Sequence, residues 1–192
     1  MCNLVADVFD YIKTFEIPLE LLKELRDDLV KQEVNLQRHT WSSQDKPGSY
    51  SIITGDISEH SFYCLAPQEL SVKVSSYCVS LIHEVYSNLS LHFSTTLRYN
   101  VYPESTGMGD HWDSIYEIFD GTLKGVPVIS TVGLLNKPKE GGELIFTEPG
   151  GESRTVLTEE GTFVMFPSTF IYSHKVSPVV SGRRDSFVFW SF

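Results

Sequence analysis

A chain of 192 residues with 41% hydrophobic and 12% aromatic content has enough apolar material for one packed domain, which argues against disorder. Its 25 acidic residues outnumber 15 lysines and arginines, giving a formal charge of −10. A surface so acidic repels phosphates, and with no basic groove in the sequence it disfavours nucleic acid as a partner. No apolar run approaches the roughly 20 residues of a membrane span. Asp7, Asp10 and Glu16 break any secretory pattern, so a cytoplasmic protein without a membrane partner is expected.

In chain order, the first third reads as helical. Pro18 suits a helix's first turn, and Leu21, Leu22, Leu25 and Leu29 then recur at helical spacing opposite Glu24, Arg26, Asp27, Asp28 and Lys31. A polar stretch over 42–48 precedes two short predicted strands, 50–53 and 62–65. A second helix is predicted over 67–88, with Leu70, Val74, Tyr77, Cys78, Leu81, Val85 and Leu89 on one stripe. Such stripes mark packing faces rather than sites. Cys2, Cys64 and Cys78 are odd in number and lack Cys-x-x-Cys spacing, so reduced and mostly buried thiols are expected.

From residue 91 the pattern changes. Segments rich in Val, Ile, Phe and Thr alternate with Gly/Pro/Asn turns, predicting strands over 96–102, 126–135, 143–146, 155–157, 163–166 and 185–190. Strands so closely spaced point to a sandwich or barrel-like β half. The expected organisation is a single domain, 1–192, with helical support over 1–90 and a β core over 91–192.

The chemistry belongs to that second half. In His111-Trp112-Asp113 an extended backbone puts His111 and Asp113 on one face, an imidazole and a carboxylate suited to a first-row divalent metal. His174, just before the last strand, is the candidate third ligand. Two histidines and one carboxylate leave three octahedral positions open, as in non-haem iron oxygenases, although zinc hydrolases use the same donors. His83, His92, His39 and His60 lack a paired carboxylate and suit structural or surface roles. In the last strand Arg184, Ser186, Val188 and Trp190 share one face, and Asp185, Phe187 and Phe189 the other. A guanidinium on a buried face demands an anion, either a carboxylate ligand or a protein acid such as Glu143. Arg183 points to the opposite face.

Five pieces in order resemble the Fe(II)/2-oxoglutarate-dependent dioxygenases, within them the prolyl 4-hydroxylase-like branch. They are Arg98-Tyr99-Asn100-Val101-Tyr102-Pro103, His111-x-Asp113, Leu134-Leu135-Asn136 with Gly141-Gly142-Glu143-Leu144, Gly161 with Phe166-Pro167-Ser168, and His174-x-Val176-x-Pro178-Val179 through Gly182-x-Arg184. The resemblance implies an α+β fold with a double-stranded β-helix (jelly-roll, cupin-like) core and N-terminal supporting helices. It implies His111, Asp113 and His174 as the catalytic metal ligands, and Arg184, Tyr102 and Ser186 around the distal carboxylate of 2-oxoglutarate. Fe(II) is the implied cofactor, with 2-oxoglutarate and O2 as co-substrates and ascorbate as a further reductant. Asp113 favours hydroxylation, since halogenating relatives carry a small residue there. Trp190 stands where nucleic-acid demethylases carry a second arginine. Leu144 replaces a threonine common in collagen-type prolyl hydroxylases, and Arg184 replaces their usual lysine. The substrate stays open between a polypeptide and a small molecule, with a non-catalytic cupin-like metal-binding or interaction module as the alternative of another class. Two stretches, 103–110 and 114–125, are expected to be loops able to close over substrate.

Overall fold

The computed structural model describes residues 7–38, 61–114, 126–148, 150–156 and 159–192. The predicted strand over 50–53, Cys2, His39, His60 and all but the first residue of the second loop lie outside these residues. The N-terminal half supplies β1 (Lys13–Glu16), α1 (Leu19–Gln32), β2 (Gln37–Arg38), β3 (Phe62–Leu65) and α2 (Gln68–Val85). The rest is β: β4 (Arg98–Tyr102), β5 (Met108–His111), β6 (Ile129–Asn136), β7 (Glu140–Gly141), β8 (Leu144–Thr147), β9 (Ser153–Val156), β10 (Thr162–Pro167), β11 (Ser173–Val176), β12 (Val179–Ser181) and β13 (Arg184–Ser191). No described helix is long and apolar enough to cross a membrane.

Both helices open on proline. Pro18 and Pro67 sit at the N-cap, and their carbonyls accept the first helical bonds, from Leu22 and Ser71, each at 2.9 Å. Proline has no N–H to orphan there, and its fixed φ steers the chain into the first turn. Helix α1 buries the predicted Leu21, Leu22, Leu25 and Leu29; α2 buries Leu70, Val74 and Cys78 of its predicted stripe together with Ile82, which the stripe did not include, while Tyr77, Leu81, Val85 and Leu89 are half-buried.

A seven-stranded sheet runs β1-β10-β6-β13-β4-β3-β2, and a smaller one runs β5-β11-β8-β9, with a separate β12-β7 pair. Every named pairing is antiparallel. The large sheet separates two cores. On one face the helices pack against Tyr99, Val101, Leu135, Phe163, Phe187 and Phe189. On the other, Val132, Leu134, Val164, Phe166 and Val188 meet Leu144, Phe146 and Val176 of the small sheet. Period-two alternation along β4, β6, β10 and β13 therefore feeds both cores from the same strands. Gly133 lies opposite Phe187 in the β6–β13 register, and a Cβ there would come within 2.1 Å of the Phe187 ring. Glycine is what lets that ring lie flat on the sheet.

Strands expected from Val/Ile/Phe content appear, with ends shifted by up to three residues. The short polar strand β11 was not predicted, and β5 was anticipated only as the extended stretch carrying His111. The expectation that 103–110 is loop is corrected over 108–110, which begins β5; pairing with β11 holds those residues extended despite Gly109 and Asp110.

Candidate metal centre

His111 is the last residue of β5, and His174 lies opposite it in the β5–β11 register. Their ring centroids are 4.3 Å apart. Asp113 does not continue the strand as the sequence pattern suggested. It sits at a bend beyond it, where Ser114 N–H donates to the Ser168 carbonyl at 2.8 Å. The result is the same convergence by another route. The Asp113 carboxylate oxygens stand 3.8 Å from His111 Nε2 and 3.9 Å from His174 Nε2, and one ligand atom from each of the three residues falls within 4.8 Å of the others.

Both imidazoles are set for coordination. His111 Nδ1 lies 2.8 Å from the Gly109 carbonyl and His174 Nδ1 3.0 Å from the Tyr172 carbonyl. A carbonyl only accepts, so each Nδ1 carries the proton and each Nε2 presents a lone pair toward Asp113. Burial, then the neighbouring His174, pushes the His111 imidazolium down to about 4, so the ring is in its neutral, ligating form at neutral pH. Burial pulls Asp113 upward, but both histidines, helped by the nearby Ser130 and Trp190 side chains, outweigh it and keep the carboxyl below its ordinary value. Ser130 Oγ is itself 2.7 Å from Ser168 Oγ, deep in the interior. Asp113 Oδ2 is buried with no hydrogen-bond partner among the described residues. A buried carboxylate oxygen facing two imidazole lone pairs fits a divalent cation.

Arg184 is 1% exposed and lines the same pocket. Its Nη1 donates to Ser186 Oγ at 2.6 Å, and its guanidinium carbon lies 5.3 Å from the centre of the Tyr102 ring. Nε and Nη2 are buried with no partner among the described residues. Glu143, the protein acid open as a partner from the sequence, is exposed and bonds Ser177 instead. A buried fork with two unused donors fits a carboxylate-bearing molecule, so the donor set here suits 2-oxoglutarate. Gly142 makes room for it: φ is +69°, and a Cβ would stand 3.2 Å from Arg184 Cδ. Arg183 turns outward to Glu33 at 2.8 Å and Asp185 at 2.6 Å.

The structure thus brings all six singled-out residues, His111, Asp113, His174, Arg184, Tyr102 and Ser186, to one pocket. His83 and His92 are exposed, away from it. Two polar lining residues, Arg98 and Asn100, had been given no role from the sequence. The alternation along β4 reaches both, at two and four residues before Tyr102. Cys64 and Cys78 are free and buried, as expected, and burial pushes the Cys64 thiol up to about 11 and that of Cys78 further still.

Comparisons with known proteins agree with this geometry. A prolyl-4-hydroxylase of Pseudomonas putida superimposes with a TM-score of 0.67 at 17% identity, covering 96% of each chain. A Trichoplax adhaerens prolyl hydroxylase, solved with a peptide of the hypoxia inducible factor oxygen degradation domain, gives 0.70 at 16% identity over 99% of this chain and 88% of that one. At such identities the likeness shows the fold, a double-stranded β-helix flanked by helices. Two PKHD-type hydroxylases share sequence. That of Parvibaculum lavamentivorans is 49% identical over 51 residues, 27% of this chain and 22% of its own length. That of Bordetella pertussis is 34% identical over 95 residues, 48% of this chain and 41% of its own. The chain thus spans less than half the length of these curated relatives. Fe(II) and 2-oxoglutarate are the cofactor and co-substrate that the family and the triad imply. Residues 97–192, half of the sequence, match the 2OG-Fe(II) oxygenase superfamily, and the chain belongs to it.

Proposed function

We propose that this protein is a 2-oxoglutarate-dependent hydroxylase in which His111, Asp113 and His174 hold Fe(II), and Arg184 with Ser186 and Tyr102 holds the distal carboxylate of 2-oxoglutarate. The observation that carries the reading is the buried Arg184 fork, with two donors unused, in the pocket that also holds the triad. A metal-dependent hydrolase would have no need of such a group. The whole chain acts as one domain, residues 91–192 being the catalytic core and 1–90 its support.

When bound, iron and 2-oxoglutarate supply the chemistry: O2 is reduced as 2-oxoglutarate is decarboxylated to succinate and CO2, and one oxygen atom enters a substrate C–H bond. The protein's residues orient and enclose. The carbonyls of Gly109 and Tyr172 fix the two imidazoles, while the Ser114 N–H bond to the Ser168 carbonyl fixes the bend that carries Asp113. Ser186 holds one arm of Arg184 and leaves the remaining donors aimed at a carboxylate. Val132, Leu144, Val176 and Val188 wall the pocket and limit water around the charged groups.

For the substrate, we take a peptidyl side chain as the leading class, prolyl first, because the structural neighbours are prolyl hydroxylases and the Trichoplax enzyme was solved with a peptide. A small molecule hydroxylated at the same centre is the second reading, favoured by Leu144 in place of the collagen-type threonine. The test is succinate formation from 2-oxoglutarate by the iron-loaded protein, beside His111→Ala and Asp113→Ala. Succinate from the wild type alone is expected. No succinate, with no 2-oxoglutarate binding, would overturn the reading. Peptide and small-molecule candidates are then separated by a mass gain of one oxygen.

A further inference from the structure

Asn100 lines the same pocket and takes no part in the iron or 2-oxoglutarate contacts described above. It stands on the site-facing side of β4 two residues before Tyr102, roughly 7 Å away along the strand. Its register partner on β13 is Ser186. The residue is 7% exposed, and its Oδ1 is buried with no hydrogen-bond partner among the described residues. Asp113 Oδ2 and the two unused donors of Arg184 find partners in the metal ion and the co-substrate on the reading above. The Asn100 oxygen finds none there. A buried amide oxygen left without a donor costs about 1–3 kcal/mol, so it marks a place for a group that arrives from outside.

The donors around it are committed elsewhere. Ser186 Oγ accepts from Arg184 Nη1 at 2.6 Å and donates to the Asn100 main-chain carbonyl at 3.5 Å. Arg184 Nε and Nη2, with Tyr102 Oη, belong to the distal carboxylate of 2-oxoglutarate on the proposed function. The Nδ1 protons of His111 and His174 are held by the Gly109 and Tyr172 carbonyls. Arg98 has its guanidinium between the Trp190 and Tyr63 rings, 5.2 and 5.6 Å from their centres. 2-Oxoglutarate cannot supply the missing donor, because its dianion carries only acceptors, and a divalent ion has no proton to give. A site built to meet a donor rejects an analogue that lacks one, since its own buried group is then left unpaired.

We propose that Asn100 is a specificity-determining residue whose side-chain carbonyl accepts a hydrogen bond from an N–H or O–H group of the primary substrate. The inference rests on the proposed function, and it specifies a substrate class within it: molecules that carry such a donor into the pocket. A proline ring within a peptide has no N–H of its own, so there the donor is the main-chain amide of a neighbouring residue. In a small molecule it is an amide or hydroxyl of the molecule itself.

Ligand-observed NMR on the Mn(II)-loaded, 2-oxoglutarate-saturated protein without oxygen tests this, since the paramagnetic ion broadens the signals of a probe bound beside it. 2-Oxoglutarate binding is measured first; its absence in the wild type refutes the proposed function before any probe is added. The probes are 2-pyrrolidinone with N-methyl-2-pyrrolidinone, and acetyl-Gly-Pro-Gly-amide with acetyl-Sar-Pro-Sar-dimethylamide, whose N–H groups are all methylated. At least one N–H probe is expected to bind the wild type, its methylated counterpart at least about tenfold more weakly. Asn100→Leu is expected to lose that preference with 2-oxoglutarate affinity within about twofold. Leucine has nearly the shape of asparagine without its polar edge, so a preference arising from the bulk of the methyl group would survive the change. Asn100→Ala is expected to lose the preference too, which keeps the test open if the leucine variant does not fold. Which N–H probe binds separates the peptide source from the small molecule. The proposal is overturned if no N–H probe binds the wild type, if both members of each pair bind alike, if the variants keep the preference, or if they lose 2-oxoglutarate binding as well.

Discussion

The two faces of the large sheet are built from the same strands and obey opposite rules. Toward the helices, β13 presents Phe187 and Phe189, and β4 presents Tyr99 and Val101, all buried against aliphatic side chains. Buried polar groups on this side are mostly paired: Asp28 takes a hydrogen bond from Tyr99 Oη at 2.9 Å, Ser71 Oγ bonds Leu97 N–H and the Pro67 carbonyl, and Asp185 is held by Asn136 and Arg183. Toward the small sheet the same strands present Arg184, Ser186, Asn100 and Tyr102, and here buried polar atoms lack partners: Arg184 Nε and Nη2, Asn100 Oδ1 and, across the pocket, Asp113 Oδ2. An unmade hydrogen bond in the interior costs about 1–3 kcal/mol, more for a charged group. The helix face thus stabilises the fold, and the site face is held ready by it for groups that come from outside. Stability and function are separated by one residue along a strand.

The largest way to break this comparison is on the helix side. Phe187→Ala should cost about 3–5 kcal/mol in chemical denaturation, because its ring is fully buried over Gly133 and its removal leaves a cavity in the core. On the site side, added metal should stabilise instead. At about one hundred times its dissociation constant, Zn(II) should raise the unfolding free energy by about 2.7 kcal/mol, and His174→Ala should remove that gain. Arg183→Met separates the adjacent arginines: it should cost about 1–3 kcal/mol, since buried Asp185 keeps only Asn136 as a partner, yet leave 2-oxoglutarate binding intact. The smallest effect on folding sharpens the contrast. Ser130→Ala should cost about 1 kcal/mol of stability but weaken metal affinity roughly tenfold, measured by competition with a chelating dye, because its bond to Ser168 supports the bend that carries Asp113.

The helix-side core was legible in the sequence because apolar periodicity is a direct record of burial. The leucines of α1, the stripe of α2 and the alternation of β13 each predicted the face that is buried. The site was legible through spacing and residue type: His111-x-Asp113, His174, and Arg184 on the inward face of the last strand. What was not legible was how the site is assembled. β5 and β11, which carry the two histidines, are polar and short, and take their extended form from pairing with each other and with β8 rather than from propensity. The placement of Asp113 depends on Ser168, fifty-five positions away in sequence, and no local pattern encodes that contact. Arg98 and Asn100 were within reach of the alternation through Tyr102, but became informative only once the opposite wall of the pocket was known.

The claim at the centre is that Arg184 is buried for a ligand and not for the fold. The direct measurement is calorimetric titration of 2-oxoglutarate into metal-loaded wild type and Arg184→Met, with ligand-free unfolding curves for both. The expected result is metal-dependent binding by the wild type, at least about a hundredfold weaker binding by the variant, and ligand-free stability of the variant equal to or above that of the wild type, since an apolar chain replaces a buried unpaired charge. Equal 2-oxoglutarate affinity in the two proteins, or a variant that unfolds several kcal/mol more easily, would contradict it.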